Sequence, residues 1–334
     1  MVIGHESFRK QIIEAEVSQR TSHAYLLLGP EGIGKSVLAR WSAQYWNCQD
    51  MKKENPEPCG RCSFCQKISR GQFLDLIWIE PDEEQGSRAV IKVESVRELH
   101  PYLGVTPVEG KVRVIVIRDA HRLNFQAQTA LLKILEEPPE YTRFILSTHQ
   151  PDDLLSTIHS RCQTRRLSPL SEDEVRALIK SLNFEHDQLE LLTPLAQGQP
   201  GLILKNPDEL LKEREEFFKL FDQIAFGGYA GVQKALASLS KKSGGLERFI
   251  KWFQLLLRDL SEKQLTGSLR WFADKEESFK ELQGRLSLNR LTLVYEKLLQ
   301  SAESLSQNAN KNTQAQMWAW ELRSMIQSQK SDAV

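Results

Sequence analysis

A chain of 334 residues, 40% hydrophobic and 26% charged, is long enough for two or three domains with at least one sizeable core, and its composition is that of an ordinary globular protein. Lys plus Arg equals Asp plus Glu at 44 each, which excludes an overall positive field for nucleic acid, so any DNA contact must come from a local patch or a basic partner. The opening MVIGHESFRK lacks the apolar run of a signal peptide and no stretch approaches the roughly 18 apolar residues of a membrane span, so the expected location is cytoplasmic.

Residues 24–28, AYLLL, form a short apolar run leading into GPEGIGKS. Val37, Leu38, Trp41 and Tyr45 then recur at helical spacing and predict a helix over 36–47. The segment between, Gly29 to Ser36, satisfies G-x-x-x-x-G-K-[ST]. Gly29, Gly32 and Gly34 let backbone amides turn towards phosphate oxygens, and the helix N-terminus adds a favourable dipole. Lys35 is expected to reach the β- and γ-phosphates of ATP or ADP, and Ser36 to ligate magnesium. The plainer reading is a glycine-rich turn with no ligand; a strand before it and a helix after it argue against that.

Four of the five cysteines cluster as Cys48, Cys59, Cys62 and Cys65, the last three spaced C-x2-C-x2-C; Cys162 stands alone. In a reducing compartment this spacing reads as a metal site rather than a disulfide framework. Four thiolates suit structural zinc, with Gly60 relieving the tight turn. An iron–sulfur cluster is the rival, although the fourth cysteine and proline of the ferredoxin run do not follow Cys65. Reduced, buried cysteines without metal are the plainest reading. A zinc-based DNA reader is also weighed, but Lys52, Lys53, Arg61 and Lys67 are interspersed with Glu54 and Glu57, a mixed charge that disfavours it.

FLDLIWIEP (73–81) predicts a second strand stopped by Pro81, and a helix is expected over 93–103. VRVIVI (112–117) predicts a third strand, apolar at almost every position as for a parallel strand buried on both faces. An ATP-hydrolysing motor would end that strand in an acid supporting magnesium. Arg118 stands there instead, followed by Asp119, a weak candidate for activating water. A cation beside magnesium disfavours the metal, so turnover here should be poor, and pairing of Arg118 with Asp119 is the structural alternative.

FQAQTALLKILEE (125–137) puts Ala127, Ala130, Leu131, Ile134 and Leu135 on one helical face, stopped by Pro138 and Pro139. RFILST (143–148) predicts a fourth strand, whose end offers Thr148 or His149 as a phosphate sensor, with Thr148 the weak candidate carried forward. CQTRRL (162–167) is a candidate fifth. Just before it stands Arg161, ordinarily a solvated charge or salt-bridge partner; in ring-forming ATPases an arginine so placed can enter a neighbour's nucleotide site. Strands alternating with helices imply a doubly wound parallel α/β sheet over residues 1–167.

After Pro169 only helices are expected: 171–182, opened by a Ser171–Glu174 capping box, then 187–196, 208–225, 231–240, 246–263, 275–283, 287–306 and 311–328. GG at 227–228 and KKSGG at 241–245 interrupt them. These divide into a small helical domain, 168–207, and an all-α bundle, 208–334. The aromatics of FIKWFQLLLRDL read as bundle core or subunit contact.

Taken together, HAYLLLGPEGIGKS, the four cysteines, TALLKILEEPP and the tripeptide SRC resemble the clamp-loader branch of the AAA+ ATPases. The resemblance covers the α/β and small helical domains; in the C-terminal half it rests on helical texture. It implies a RecA-like AAA+ domain carrying a four-cysteine zinc module, a helical lid, and a helical collar that assembles subunits. It implies partners as well: other clamp-loader subunits, a sliding clamp, and primer–template DNA reached through the assembled ring, within a DNA polymerase III holoenzyme whose polymerase site lies elsewhere. The family's motor subunits carry Asp-Glu at the strand end and a lid arginine. Here those positions are Arg118-Asp119 and, in GQPGLIL (198–204), Gly201. These departures imply a stationary subunit that offers Arg161 in trans as an arginine finger and itself hydrolyses ATP poorly or not at all. The alternatives are an ATP-hydrolysing motor using Lys35, Ser36 and Asp119, and a stand-alone nucleotide kinase with a zinc-bearing insertion.

Overall fold

The apolar runs of the N-terminal half become one parallel sheet in a computed structural model that describes residues 2–52, 54, 56–81, 89–241, 245–277 and 292–297, together with 316–317, 319–321 and 323–324. The chain divides into two compact units, Met1–Lys205 and Asn206–Val334.

In the first unit the elements run α1 (Glu6–Val17), β1 (Ala24–Leu28), α2 (Lys35–Asn47), α3 (Ser63–Ser69), β2 (Leu76–Ile79), α4 (Val93–Arg97), α5 (His100–Leu103), β3 (Arg113–Ile117), α6 (Phe125–Glu136), β4 (Thr142–Thr148), α7 (Ser156–Arg161) and β5 (Gln163–Arg166). The strands order as β2-β3-β4-β1-β5, and every pairing is parallel. β1 and β3 are buried throughout. Alternation along these strands divides the core in two. Tyr25, Leu27, Val114, Val116 and Ile145 pack with Phe8 and Ile12 of α1 and Leu38 and Trp41 of α2. Leu26, Ile115, Ile117, Phe144 and Leu146 pack with Leu131 and Leu135 of α6. Strands apolar at consecutive positions need cover on both faces, which the flanking helices supply.

One expected helix is broken. Residues 93–103 form α4 and α5 rather than a continuous element, because Pro101 has no N–H for the i−4 bond and its ring crowds the preceding turn. Arg161 stands at the C-terminal end of α7 rather than at a strand start, and β5 begins two residues later.

The remainder of this unit is helical: α8 (Glu172–Ser181), α9 (His186–Leu195) and α10 (Pro200–Leu204). The capping box is formed, with Glu174 N–H donating to Ser171 Oγ at 3.2 Å and Ser171 N–H to Glu174 Oε2 at 2.8 Å.

The second unit contains α11 (Pro207–Ala225), α12 (Gly228–Lys241) and α13 (Gly245–Thr266). Its core is aromatic: Phe217, Phe221, Phe249, Trp252, Phe253 and Phe272 are all buried. Buried Arg214 forms an ion pair with Asp274 and lies over the rings of Phe218 and Phe272, each 5.2 Å from the guanidinium carbon. The helices expected over 275–283, 287–306 and 311–328 fall largely outside the described residues. The described parts of the last two are helical.

At the amino ends of β2 and β3, Asp75 and Arg113 form an ion pair of 3.2 Å with side chains 0% and 1% exposed. Asp75 also accepts from the amides of Val108, Glu109 and Gly110 at 2.8–2.9 Å. Arg113 donates to the carbonyls of Tyr102, Val105 and Thr106. Burial opposes ionisation of Asp75, but the three amides and the guanidinium outweigh it and hold its carboxyl below the usual range. A depressed carboxylate pKa stabilises the fold at neutral pH, and that contribution is lost as pH falls through the native value. Asp75→Ala strands Arg113 and is expected to lower the unfolding free energy by about 3–5 kcal/mol at neutral pH. Urea unfolding of the full chain at neutral and acidic pH tests this: the deficit should shrink in acid, and one below about 1 kcal/mol at neutral pH would refute the assignment.

Candidate functional site

Because all five strands are parallel, their carboxyl ends lie along one edge, and the loops there carry the polar chemistry. Gly29 follows β1, its amide donating to Thr148 O at 3.2 Å. Gly32 and Gly34 adopt positive φ, 77° and 102°, which L side chains rarely do, and the chain then enters α2 at Lys35. Lys35 Nζ donates to the carbonyls of Gly29 at 2.7 Å and Pro30 at 2.6 Å. Burial lowers the Lys35 pKa, against the opposing charges of Asp119 and Glu31.

Gly32, Gly34, Lys35, Ser36, Arg118 and Asp119 all line a single cavity of about 800 Å³. Val2, Ile3 and His5 at the N-terminus and Leu178, Leu182 and Leu204 of the helical segment close its apolar side. A cationic, glycine-turned end and an apolar end suit a nucleoside phosphate. His5 Nε2 lies 2.8 Å from Ile33 O, tying the N-terminal segment to the phosphate loop. No motif marks these N-terminal residues, and only proximity in the fold identifies them.

The acid-for-cation exchange at the end of β3 is built into a small network. Arg118 pairs with Glu80, at the end of β2, at 3.2 Å and approaches Asp119 at 3.8 Å. Asp119 has a positive φ of 51° and lies 3.8 Å from His149 Nδ1. Thr148 is fully buried; its hydroxyl lies 3.1 Å from His121 Nδ1 and accepts from Gln150 N–H at 3.0 Å, while neighbouring Ser147 lines the cavity. Burial, with His149 and Arg122 adding to it, lowers the His121 pKa against the opposing carboxylates of Asp119 and Asp153.

The helical segment closes onto the phosphate loop at Gly201, whose amide donates to Gly32 O at 2.8 Å. A Cβ at position 201 would lie 2.8 Å from that carbonyl oxygen and 2.9 Å from Gly32 Cα. No side chain fits there unless the backbone separates.

Arg161 is about half exposed, pairs with Glu136 at the end of α6 at 3.2 Å, and is not among the residues lining the cavity. The four cysteines form a separate group, with ligand atoms all within 4.8 Å of one another. Backbone amides point at sulfur: Cys59 N–H to Cys48 Sγ at 3.4 Å, Cys62 N–H to Cys59 Sγ at 3.3 Å and Cys65 N–H to Cys62 Sγ at 3.4 Å. Burial disfavours the Cys62 thiolate, but the amides of Cys65 and Gln49 and the neighbouring thiols bring its pKa down to about 6; burial pushes Cys65 up. Gly60 takes the left-handed φ of 69° that the turn requires. Glu57 anchors the excursion, accepting from Arg9 at 2.7 Å and from Trp41 Nε1 at 2.8 Å. Four convergent sulfurs with amides donating to them fit a structural zinc ion.

Comparison with known proteins agrees with this arrangement. The profile of the family described as DNA polymerase III, delta subunit, matches residues 4–171, and that of its C-terminal part matches residues 208–323. The chain is 29% identical to the DNA polymerase III subunit tau/gamma of Haemophilus influenzae over 340 residues, covering 95% of this chain and 48% of that protein. It is 38% identical to the subunit delta' of Pseudomonas aeruginosa over 183 residues, 54% of each. The chain thus spans about half the length of the curated relatives it matches. A gamma subunit-related protein from Thermotoga maritima superimposes with a TM-score of 0.44 at 20% identity over 96% of this chain and 99% of that one, a likeness too loose to carry argument. The phosphate loop on a five-stranded parallel sheet and the two profile matches lead to one conclusion: the chain belongs to the DNA polymerase III delta-subunit family of clamp-loader proteins.

Proposed function

We infer that this chain is the stationary, delta-prime-like subunit of a clamp loader, helping to place a sliding clamp on primed DNA during replication. The observation that carries this reading is Arg118, held by Glu80 and Asp119 where a motor would steady magnesium. Gly201, seated on Gly32 where a motor's lid would present an arginine, adds to it. In this reading residues 1–167 form the AAA+ domain with its zinc module, 168–207 the lid, and 208–334 the collar that joins the other subunits in the cytoplasm. Cys48, Cys59, Cys62 and Cys65 hold a zinc ion that staples the excursion after α2. Nucleotide sits on Gly29, Gly32, Gly34, Lys35 and Ser36 as a structural ligand, with Asp119 and Thr148 at the edge of its phosphate end.

Arg161 acts outside its own cavity. Half exposed and anchored by one ion pair, it is free to exchange Glu136 for the phosphates of a neighbouring subunit and neutralise charge there. The second reading, an ATP-hydrolysing motor, draws on the intact loop and on the tau/gamma relative that aligns along 95% of the chain.

Titration of the purified chain with ATP and magnesium separates the two. The stationary reading expects binding without turnover, or neither; turnover of roughly 1 per second or more, abolished by Lys35→Ala, would establish the motor. In a loader reconstituted with its partners, Arg161→Ala should lower hydrolysis at the neighbouring site by about a thousandfold or more, and unchanged hydrolysis would remove the trans role. Metal analysis of Cys62→Ser should show loss of one thiolate-bound zinc per chain together with a lower melting temperature; retained zinc would refute the staple.

A further inference from the structure

Beyond the four-cysteine group, the described residues contain a second convergence of metal-ligating side chains. Asp119, at the end of β3, His121, two residues on, and His149, at the end of β4, each offer one ligand atom, and these atoms lie within 4.8 Å of one another. The two imidazoles meet edge to face with ring centroids 4.4 Å apart and planes at 72°.

Two features separate this group from an ordinary polar cluster. His149 Nδ1 is enclosed and has no hydrogen-bond partner among the described residues; Asp119 Oδ1, 3.8 Å away, is too far for one. An enclosed nitrogen facing a carboxylate across that gap is unsatisfied without something between them. His121 Nδ1, in contrast, is engaged by Thr148 Oγ1 at 3.1 Å, and Thr148 is itself held by Gln150 N–H. With the proton on Nδ1, His121 Nε2 presents its lone pair, and the Thr148 contact fixes the ring as outer partners of metal-bound histidines do.

We propose that Asp119, His121 and His149 form a second metal site, for a divalent transition ion of the zinc class, beside the phosphate cavity that Asp119 lines. Two imidazoles are borderline ligands that favour such an ion over magnesium or calcium, and one carboxylate is compatible with it. On a tetrahedral zinc, nitrogen and oxygen ligands sit about 3.4 Å apart and two imidazole centroids about 5 Å apart. The observed separations, 3.8 Å between His149 Nδ1 and Asp119 Oδ1 and 4.4 Å between the ring centroids, differ from those values by less than an ångström. Three protein ligands would leave a fourth position open, and Asp119 borders the cavity. The proposal does not depend on whether this chain hydrolyses ATP, because it rests on the ligands alone.

The test uses the full chain with its four-cysteine group preloaded with zinc, titrated with cobalt(II) as the probe. Cobalt at the proposed site should add weak visible d–d absorption without the intense near-ultraviolet sulfur-to-metal band of a thiolate site. One equivalent should bind per chain beyond the thiolate zinc. His149→Gln and, separately, His121→Ala should each weaken that cobalt by at least tenfold, with the thiolate zinc retained as the check that the unit is folded. Saturation without a second equivalent, a sulfur charge-transfer band on the added cobalt, or cobalt binding unaltered in both variants would overturn the proposal.

Discussion

Burial of β1 and β3 on both faces is the constraint from which the rest of the first unit follows. A parallel strand with no solvent face admits almost no polar side chain along its length. Helices must cover both sides, and crossovers that carry those helices keep every strand pointing the same way. Groups that bind or react are thereby displaced to the strand ends. The phosphate loop, Arg118 with Asp119, and Thr148 with His149 follow three neighbouring strands because these are the first positions beyond the apolar runs. The fully buried charge of the central strands, Arg113, sits at the opposite end of β3 and requires Asp75 and a loop of carbonyls to accommodate it.

The second unit solves the same burial problem differently. α11 and α13 bury large rings against one another, with ring centroids 5.0 Å apart for Phe217 and Phe249 and 5.7 Å for Phe221 and Phe253. Its internal charges are tied down locally. Asp259, fully buried, accepts from the amides of Arg270, Trp271 and Phe272, which fixes the chain leaving α13. Such a unit gains rigidity from aromatic packing and directional bonds at its ends rather than from a sheet.

Much of this was legible in the sequence because the signals were local. Apolar runs ending in a glycine-rich loop or in Arg118 give strand and site together, and C-x2-C-x2-C fixes three sulfurs within a few residues of chain. The bulk of α6 was equally plain from its apolar face. Other features depend on partners distant in sequence. No local pattern links Asp75 to Arg113, Glu80 to Arg118, or His121 to His149. α1 carries few apolar residues, and only Phe8 and Ile12 are buried, so its periodicity is faint. α3 and α7 are single short helices, the first shaped by the cysteine turn, and α10 is a five-residue helix opening on a proline. The break before Pro101 was available from the residue itself; the apolar spacing on either side obscured it.

The contact between Gly201 and Gly32 also bears on how such a chain can change over generations. Two backbones touch with no side chain between them: a Cβ at 201 would meet the Gly32 backbone, and a Cβ at 32 would meet Leu202 N at 2.9 Å. A single substitution placing arginine at 201 would meet the Gly32 carbonyl at 2.8 Å before it could reach a phosphate. An arginine at 201 therefore demands a shift of α10 away from the loop as well as the substitution itself. Geometry of this kind makes position 201 answer to the backbone it touches: any residue with a Cβ there is opposed by packing before its chemistry can matter.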